Sequence, residues 1–102
     1  MIFTQRESVA ARRRFYLYLV DVTDAITPET GEADGQPQVS KAGGAWANTS
    51  GVLVHVGNGT YYVELTAAEL NTPGSIAVRY KSANTVEFSR TAIVARRSIW
   101  RF

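Results

Sequence analysis

An all-β fold is the class this sequence predicts, and three observations predict it. Apolar residues recur at period two in several short runs, Gly, Asn and Pro separate those runs, and no stretch repeats apolar residues at heptad spacing. The 102 residues match the size of one domain. With 45% apolar and 20% charged residues, the chain has material for a core and does not have the composition of a disordered segment.

The elements follow in chain order. Within 12–22, Phe15, Leu17 and Leu19 fall on one face of a strand and Tyr16, Tyr18 and Val20 on the other. Both faces are apolar, so this strand is expected to be central or covered on its second face. Residues 23–36 are rich in Asp, Glu, Thr, Gly and Pro and read as a long exposed acidic loop. Gln38 to Lys41 is a short strand, followed by the Ala42-Gly43-Gly44-Ala45 turn and Trp46. Val52, Val54 and Val56 then alternate with Leu53 and His55, and Tyr61, Val63 and Leu65 alternate with Tyr62 and Glu64. Between the two runs stands Gly57-Asn58-Gly59, whose residues accept positive φ, so 52–65 reads as a β-hairpin. Thr66-Ala67-Ala68-Glu69 matches a capping box, but Asn71-Thr72-Pro73-Gly74 leaves room for one helical turn only. Ile76, Val78 and Tyr80 alternate in a further strand, and Val86, Phe88, Ala92 and Val94 share one parity of the last. The sum is a β-sandwich of immunoglobulin-like proportions with one short helical turn; a small β-barrel is the alternative.

Composition removes several chemistries. With no cysteine, disulfides, thiolate metal sites and cysteine nucleophiles are excluded. The basic run in MIFTQRESVAARRRF is not followed by an apolar segment of secretory length, so no signal peptide is expected. The longest apolar stretch, Phe15 to Val20, is far too short to span a membrane, and no membrane role is expected. His55 is the one histidine, mid-strand and off-parity from the three valines, and is assigned to the outer face without a chemical role. No serine sits in a Gly-x-Ser-x-Gly elbow, and no glycine pair has a phosphate-binding context. The spacing of Asp21, Asp24, Glu29, Glu32 and Asp34 does not fit a calcium loop. The expectation is a non-enzyme with no catalytic residue, cofactor, metal or small-molecule substrate.

The net charge of +2 hides separated blocks. Arg6, Arg12, Arg13 and Arg14 against Glu7 leave residues 1–20 at +3, while Asp21, Asp24, Glu29, Glu32 and Asp34 put 21–36 at −5. Lys81, Arg90, Arg96, Arg97 and Arg101 against Glu87 put 81–102 at +4. Arg12, Arg13 and Arg14 precede Phe15-Tyr16, and Arg96-Arg97 precedes Trp100-Arg101-Phe102, a mixture suited to protein interfaces or to single-stranded nucleic acid. The acidic block offsets that charge and no nucleic-acid signature is present, so nucleic acid is the weaker reading. Phe3 near one end, and Ile99, Trp100 and Phe102 at the other, are large apolar residues where chain ends are normally polar. They are read as docking arms: residues 1–10 an N-terminal arm, 11–95 the sandwich and 96–102 a C-terminal arm. The expected subunit interface is therefore Phe3, Arg12, Arg13, Arg14, Arg96, Arg97, Ile99, Trp100, Arg101 and Phe102.

The run from Pro37 to Lys81 resembles a module of tailed-bacteriophage and prophage structural proteins. Ser40, Lys41, Gly43, Gly44 and Trp46 carry its Ser-Lys-x-Gly-Gly-aromatic turn, Gly59, Tyr61 and Tyr62 its Gly-x-Tyr-Tyr hairpin, and Leu65, Thr66, Glu69 and Gly74 the segment that follows. The resemblance implies a non-enzymatic immunoglobulin-like domain of a virion, in the tail, baseplate, neck or fibre attachment or as a capsid decoration protein. Its partners would be other virion proteins and copies of itself, with assembly in the bacterial host cytoplasm. The readings from other classes are a nucleic-acid-binding module and a host-surface carbohydrate-binding domain, for which Tyr16, Tyr18, Tyr62 and Trp46 would supply stacking faces.

Overall fold

A computed structural model describes residues 2–96, which form β1 (Ile2–Thr4), β2 (Arg14–Tyr18), β3 (Gln38–Lys41), β4 (Ala47–Asn48), β5 (Val54–Gly57), β6 (Thr60–Glu64), β7 (Gly74–Tyr80) and β8 (Phe88–Ala95). A single 3-10 turn, Ala10–Arg13, leads into β2. The strands make two sheets, one in the order β1-β8-β7-β3-β4 and one in the order β2-β6-β5. All pairings are antiparallel except β1 with β8, which run parallel. The all-β class is right; neither sheet closes on itself, so the described residues form no barrel.

One core lies between the sheets. Phe15, Leu17, Tyr61 and Val63 enter it from the three-stranded sheet, and Phe3, Val39, Ile76, Val78, Ala92 and Val94 from the five-stranded one. Each set alternates along its strand, because period-two patterning sends every second side chain to the same face. The hairpin forms as expected, with Asn58 (φ 50°) and Gly59 (φ 84°) between Gly57 and Thr60, the backbone of a tight two-residue turn. The capping box forms too. The Thr66 amide donates to Glu69 Oε1 at 2.8 Å and the Glu69 amide donates to Thr66 Oγ1 at 3.1 Å. Leu70, at the end of that single turn, is fully buried.

Four expectations are corrected. Phe3 is a core residue rather than part of an arm: it is 3% exposed and its ring stacks on Phe15 at 5.9 Å. β1 is held by β8 and by hydrogen bonds from the Gln5 amide to the Ala95 carbonyl and the Arg6 amide to the Leu70 carbonyl. A three-residue strand with one inward side chain has no visible period, so it reads like a sticky end. The second correction concerns β2, which is an edge strand whose second face stays open. Third, the parity of 52–56 is reversed: Leu53 is buried and Val54 is exposed opposite Tyr62, while a bulge between His55 and Gly57 interrupts the alternation at Val56. Fourth, the acidic loop is stitched to the core through Glu32, which is buried.

Candidate functional site

The outer face of the three-stranded sheet holds the largest concentration of exposed aromatic and aliphatic side chains on strands among the described residues. Tyr16 on β2, Tyr62 on β6 and Val54 on β5 are register partners and make one row across the sheet. Tyr16 is 41%, Tyr18 50% and Val54 42% exposed, and Val52 and Val56 precede and follow Val54 on the same edge. The rings of Tyr16 and Tyr62 lie 5.6 Å apart, and the Arg14 guanidinium carbon sits 4.4 Å from the centre of the Tyr62 ring. Contiguous exposed apolar side chains on one sheet face are the kind of surface that docking partners cover. Its origin is the strand that is apolar on both sides: the inward set fills the core, and no other segment of the described chain covers the outward set.

The three consecutive arginines do not act as one cluster. Arg12 is exposed and lies 3.7 Å from Glu7. Arg13 is turned inward, its Nε donating to the Leu65 carbonyl at 2.7 Å and its Nη1 to the carbonyls of Glu7 (3.1 Å) and Ser8 (2.8 Å). It ties the 3-10 turn to the end of β6, so its assignment to a subunit interface is withdrawn. Arg14 pairs loosely with Glu64 at 3.9 Å and lies against Tyr62 at the rim of the open face. Arg96 is exposed just past β8. Arg97, Ile99, Trp100, Arg101 and Phe102 lie outside the described residues.

Groups with chemical potential are engaged locally. His55 is exposed at the sheet edge, but it shares the parity of Leu53 and its ring lies 4.8 Å from Tyr61, so it is not on the outer face. Asp24 accepts from the Thr27 hydroxyl and from the amides of Ile26 and Thr27, which brings its pKa down to about 2. Glu32 accepts the Tyr80 hydroxyl at 2.7 Å. Burial alone would raise the Glu32 pKa, but hydrogen bonds from Ser82, Tyr80 and Asn84 outweigh it and hold the carboxyl below its usual range. Tyr80 is pushed up to about 12 by burial and by the Glu32 carboxylate beside it. Among the described residues no three His, Asp or Glu side chains are grouped to hold a metal ion, and no helix is long and apolar enough to cross a membrane.

The Ser-Lys-x-Gly-Gly-aromatic stretch is the connection from β3 to β4. Ser40 Oγ donates to the Gly44 carbonyl at 2.7 Å, the Gly44 amide donates to the Lys41 carbonyl at 2.8 Å, and Ala42 and Gly43 take positive φ. The turn delivers Trp46 onto Arg79 of β7, with the guanidinium carbon 4.3 Å from the ring centre. Sequence reading named Trp46 but missed Arg79, since nothing in the spacing marks two residues 33 positions apart as neighbours. Compared with protein-family models, curated proteins and solved structures, the chain finds no match.

Proposed function

We propose that this chain is a non-enzymatic structural protein of a tailed-bacteriophage virion, an immunoglobulin-like sandwich that binds other virion subunits. The observation that carries the reading is the open row of Tyr16, Tyr62 and Val54, with Tyr18 exposed beside it on β2. At about 25 cal/mol per Å², covering that face with a neighbouring subunit contributes several kcal/mol before ordering costs. Tyrosines with an arginine at the rim are the composition of interface centres rather than of solvated sheet.

Two further features support the finer parts of the proposal. The order of strands fits an immunoglobulin-like arrangement: β2-β6-β5 stands as its B, E and D strands, and β8-β7-β3-β4 as G, F, C and C′. The phage assignment rests on the resemblance of Pro37 to Lys81, whose motif residues build the β3–β4 turn, the β5–β6 hairpin and the capped turn after it. Mass and sedimentation measurements on the purified chain, alone and mixed with the products of adjacent genes, test the proposal. A defined complex or closed oligomer is expected; a strict monomer in every mixture overturns it.

A further inference from the structure

The outer face of the opposite, five-stranded sheet carries a different kind of surface. Asn48, Gln38 and Arg79 are register partners on β4, β3 and β7 and form a polar row. Arg79 Nε donates to Gln38 Oε1 at 2.9 Å, and Gln38 Nε2 donates to Asn48 Oδ1 at 3.4 Å. Beside the row runs a groove of about 490 Å³, bordered also by Gln36, Lys81 and Glu87. That volume is in the range of small-ligand sites.

The arrangement fixes Arg79 and leaves its reactive end unused. Trp46 covers a face of the guanidinium and Gln38 takes its Nε, while the two Nη groups meet no hydrogen-bond acceptor among the described residues. Neither Arg79 nor Lys81 has a carboxylate within ion-pair distance among the described residues. A guanidinium held by stacking and by its Nε presents a pre-oriented pair of N–H donors, which suits a carboxylate better than a single point acceptor. Gln36 is also locked, its Nε2 donating to the Pro37 carbonyl and to both oxygens of Thr49. Gln36 keeps its Oε1 as an acceptor and Asn48 its Nδ2 as a donor, so the border of the groove offers one of each, as a ring bearing hydroxyls requires.

We propose that the groove between Arg79, Gln38 and Asn48 binds a carboxylate-bearing sugar unit, with Arg79 on the carboxylate and the flanking amides on the hydroxyls. Because the groove is on the sheet opposite the tyrosine face, this site is independent of subunit docking. An acidic peptide would supply the carboxylate without the ring hydroxyls, and triglutamate separates that case from a sugar.

The test is a titration of the isotopically labelled full chain, followed by NMR, with trimers of galacturonic and of glucuronic acid, their methyl esters, and triglutamate. Saturable shifts are expected at the Trp46 indole N–H and the side-chain amides of Gln38 and Asn48 with at least one uronate. Esterification, which removes the charge but keeps the ring, should weaken that binding about tenfold or more. Arg79→Gln should cause the same loss with the spectrum otherwise unchanged. If that variant unfolds, Lys81→Gln and the comparison of acid with ester on the unaltered chain decide the matter. No saturable shift with either uronate up to about 10 mM overturns the proposal. So does equal binding of acid and ester, or triglutamate binding as tightly as the uronates.

Discussion

The Tyr80 hydroxyl donates to Glu32 Oε1 at 2.7 Å, joining β7 to the middle of an acidic loop 48 residues away in sequence. Tyr61 anchors the same loop: its hydroxyl donates to the Glu29 carbonyl at 2.8 Å and accepts the Glu32 amide at 3.1 Å. Two core tyrosines thus hold a segment that composition alone marks as solvated.

Stability should therefore depend on pH at both extremes. Glu32 titrates below its ordinary value in the folded chain, so its contribution is present above the unfolded carboxyl pKa near 4.5 and is lost as pH falls through the lower folded value. Tyr80 titrates above its ordinary value, so its contribution is present below 10 and is lost as pH rises towards about 12. Melting curves against pH should show a shallower acid limb for Glu32→Gln and a shallower alkaline limb for Tyr80→Phe. At neutral pH, Glu32→Ala should cost about 1–3 kcal/mol, because it leaves the Tyr80 hydroxyl buried without its acceptor. Unchanged limbs in both variants would show that the pair does not couple folding to pH.

Gly59 is the least replaceable residue of the hairpin. Its φ is +84°, and a Cβ there would stand 2.8 Å from the Leu19 carbonyl oxygen and 2.9 Å from Pro28 Cβ. Gly59→Val combines a β-branched side chain at positive φ with a backbone clash and should destabilise by about 3 kcal/mol or more. Denaturant titration measures it; a loss below about 1 kcal/mol would mean the turn rearranges freely.

The two ends should respond oppositely to change. Phe3→Ala empties a core position and should cost about 3–5 kcal/mol. If 98–102 act as a docking arm, deleting them should leave melting nearly unchanged. A truncated chain that melts many degrees lower would place the C-terminal residues in the fold, against the docking-arm proposal.

Arg12 and Arg13, adjacent in sequence, should also separate. Arg13→Ala removes three hydrogen bonds to backbone carbonyls and should cost about 2 kcal/mol, while Arg12→Ala should stay within about 0.5 kcal/mol. With Arg13 occupied, the basic run is a poor phosphate clamp, and no retention of random DNA is expected at physiological salt. Salt-sensitive submicromolar DNA binding lost on changing Arg12 and Arg14 would favour the nucleic-acid reading instead.

How much was legible in the sequence varies by element. β7 and the β5–β6 hairpin were readable because alternation, turn residues and a capping box agree on one answer. The inward faces of β2 and β6 followed from Phe15, Leu17, Tyr61 and Val63. Val54 and Leu53 defeated the parity argument: both neighbours are apolar, so alternation cannot say which is inside, and Leu53 won the core. β1 and β4 were missed because two- and three-residue strands have no period to read. The candidate site was only partly visible. Tyr16, Tyr18 and Tyr62 stand out by type, but their exposure depends on whether another segment covers them. The Trp46–Arg79 contact and the burial of Glu32 come from pairings across the chain, which local spacing does not encode.

The central claim, that the open tyrosine face is where another virion subunit docks, is tested most directly by one variant. Tyr16→Ser with Tyr18→Ser alters two outward side chains of an edge strand, so its melting should stay within a few degrees of the parent. Sedimentation of parent and variant with the products of adjacent genes should then show a complex for the parent and free variant under the same conditions. A variant that folds and still joins the complex as tightly as the parent would contradict the account.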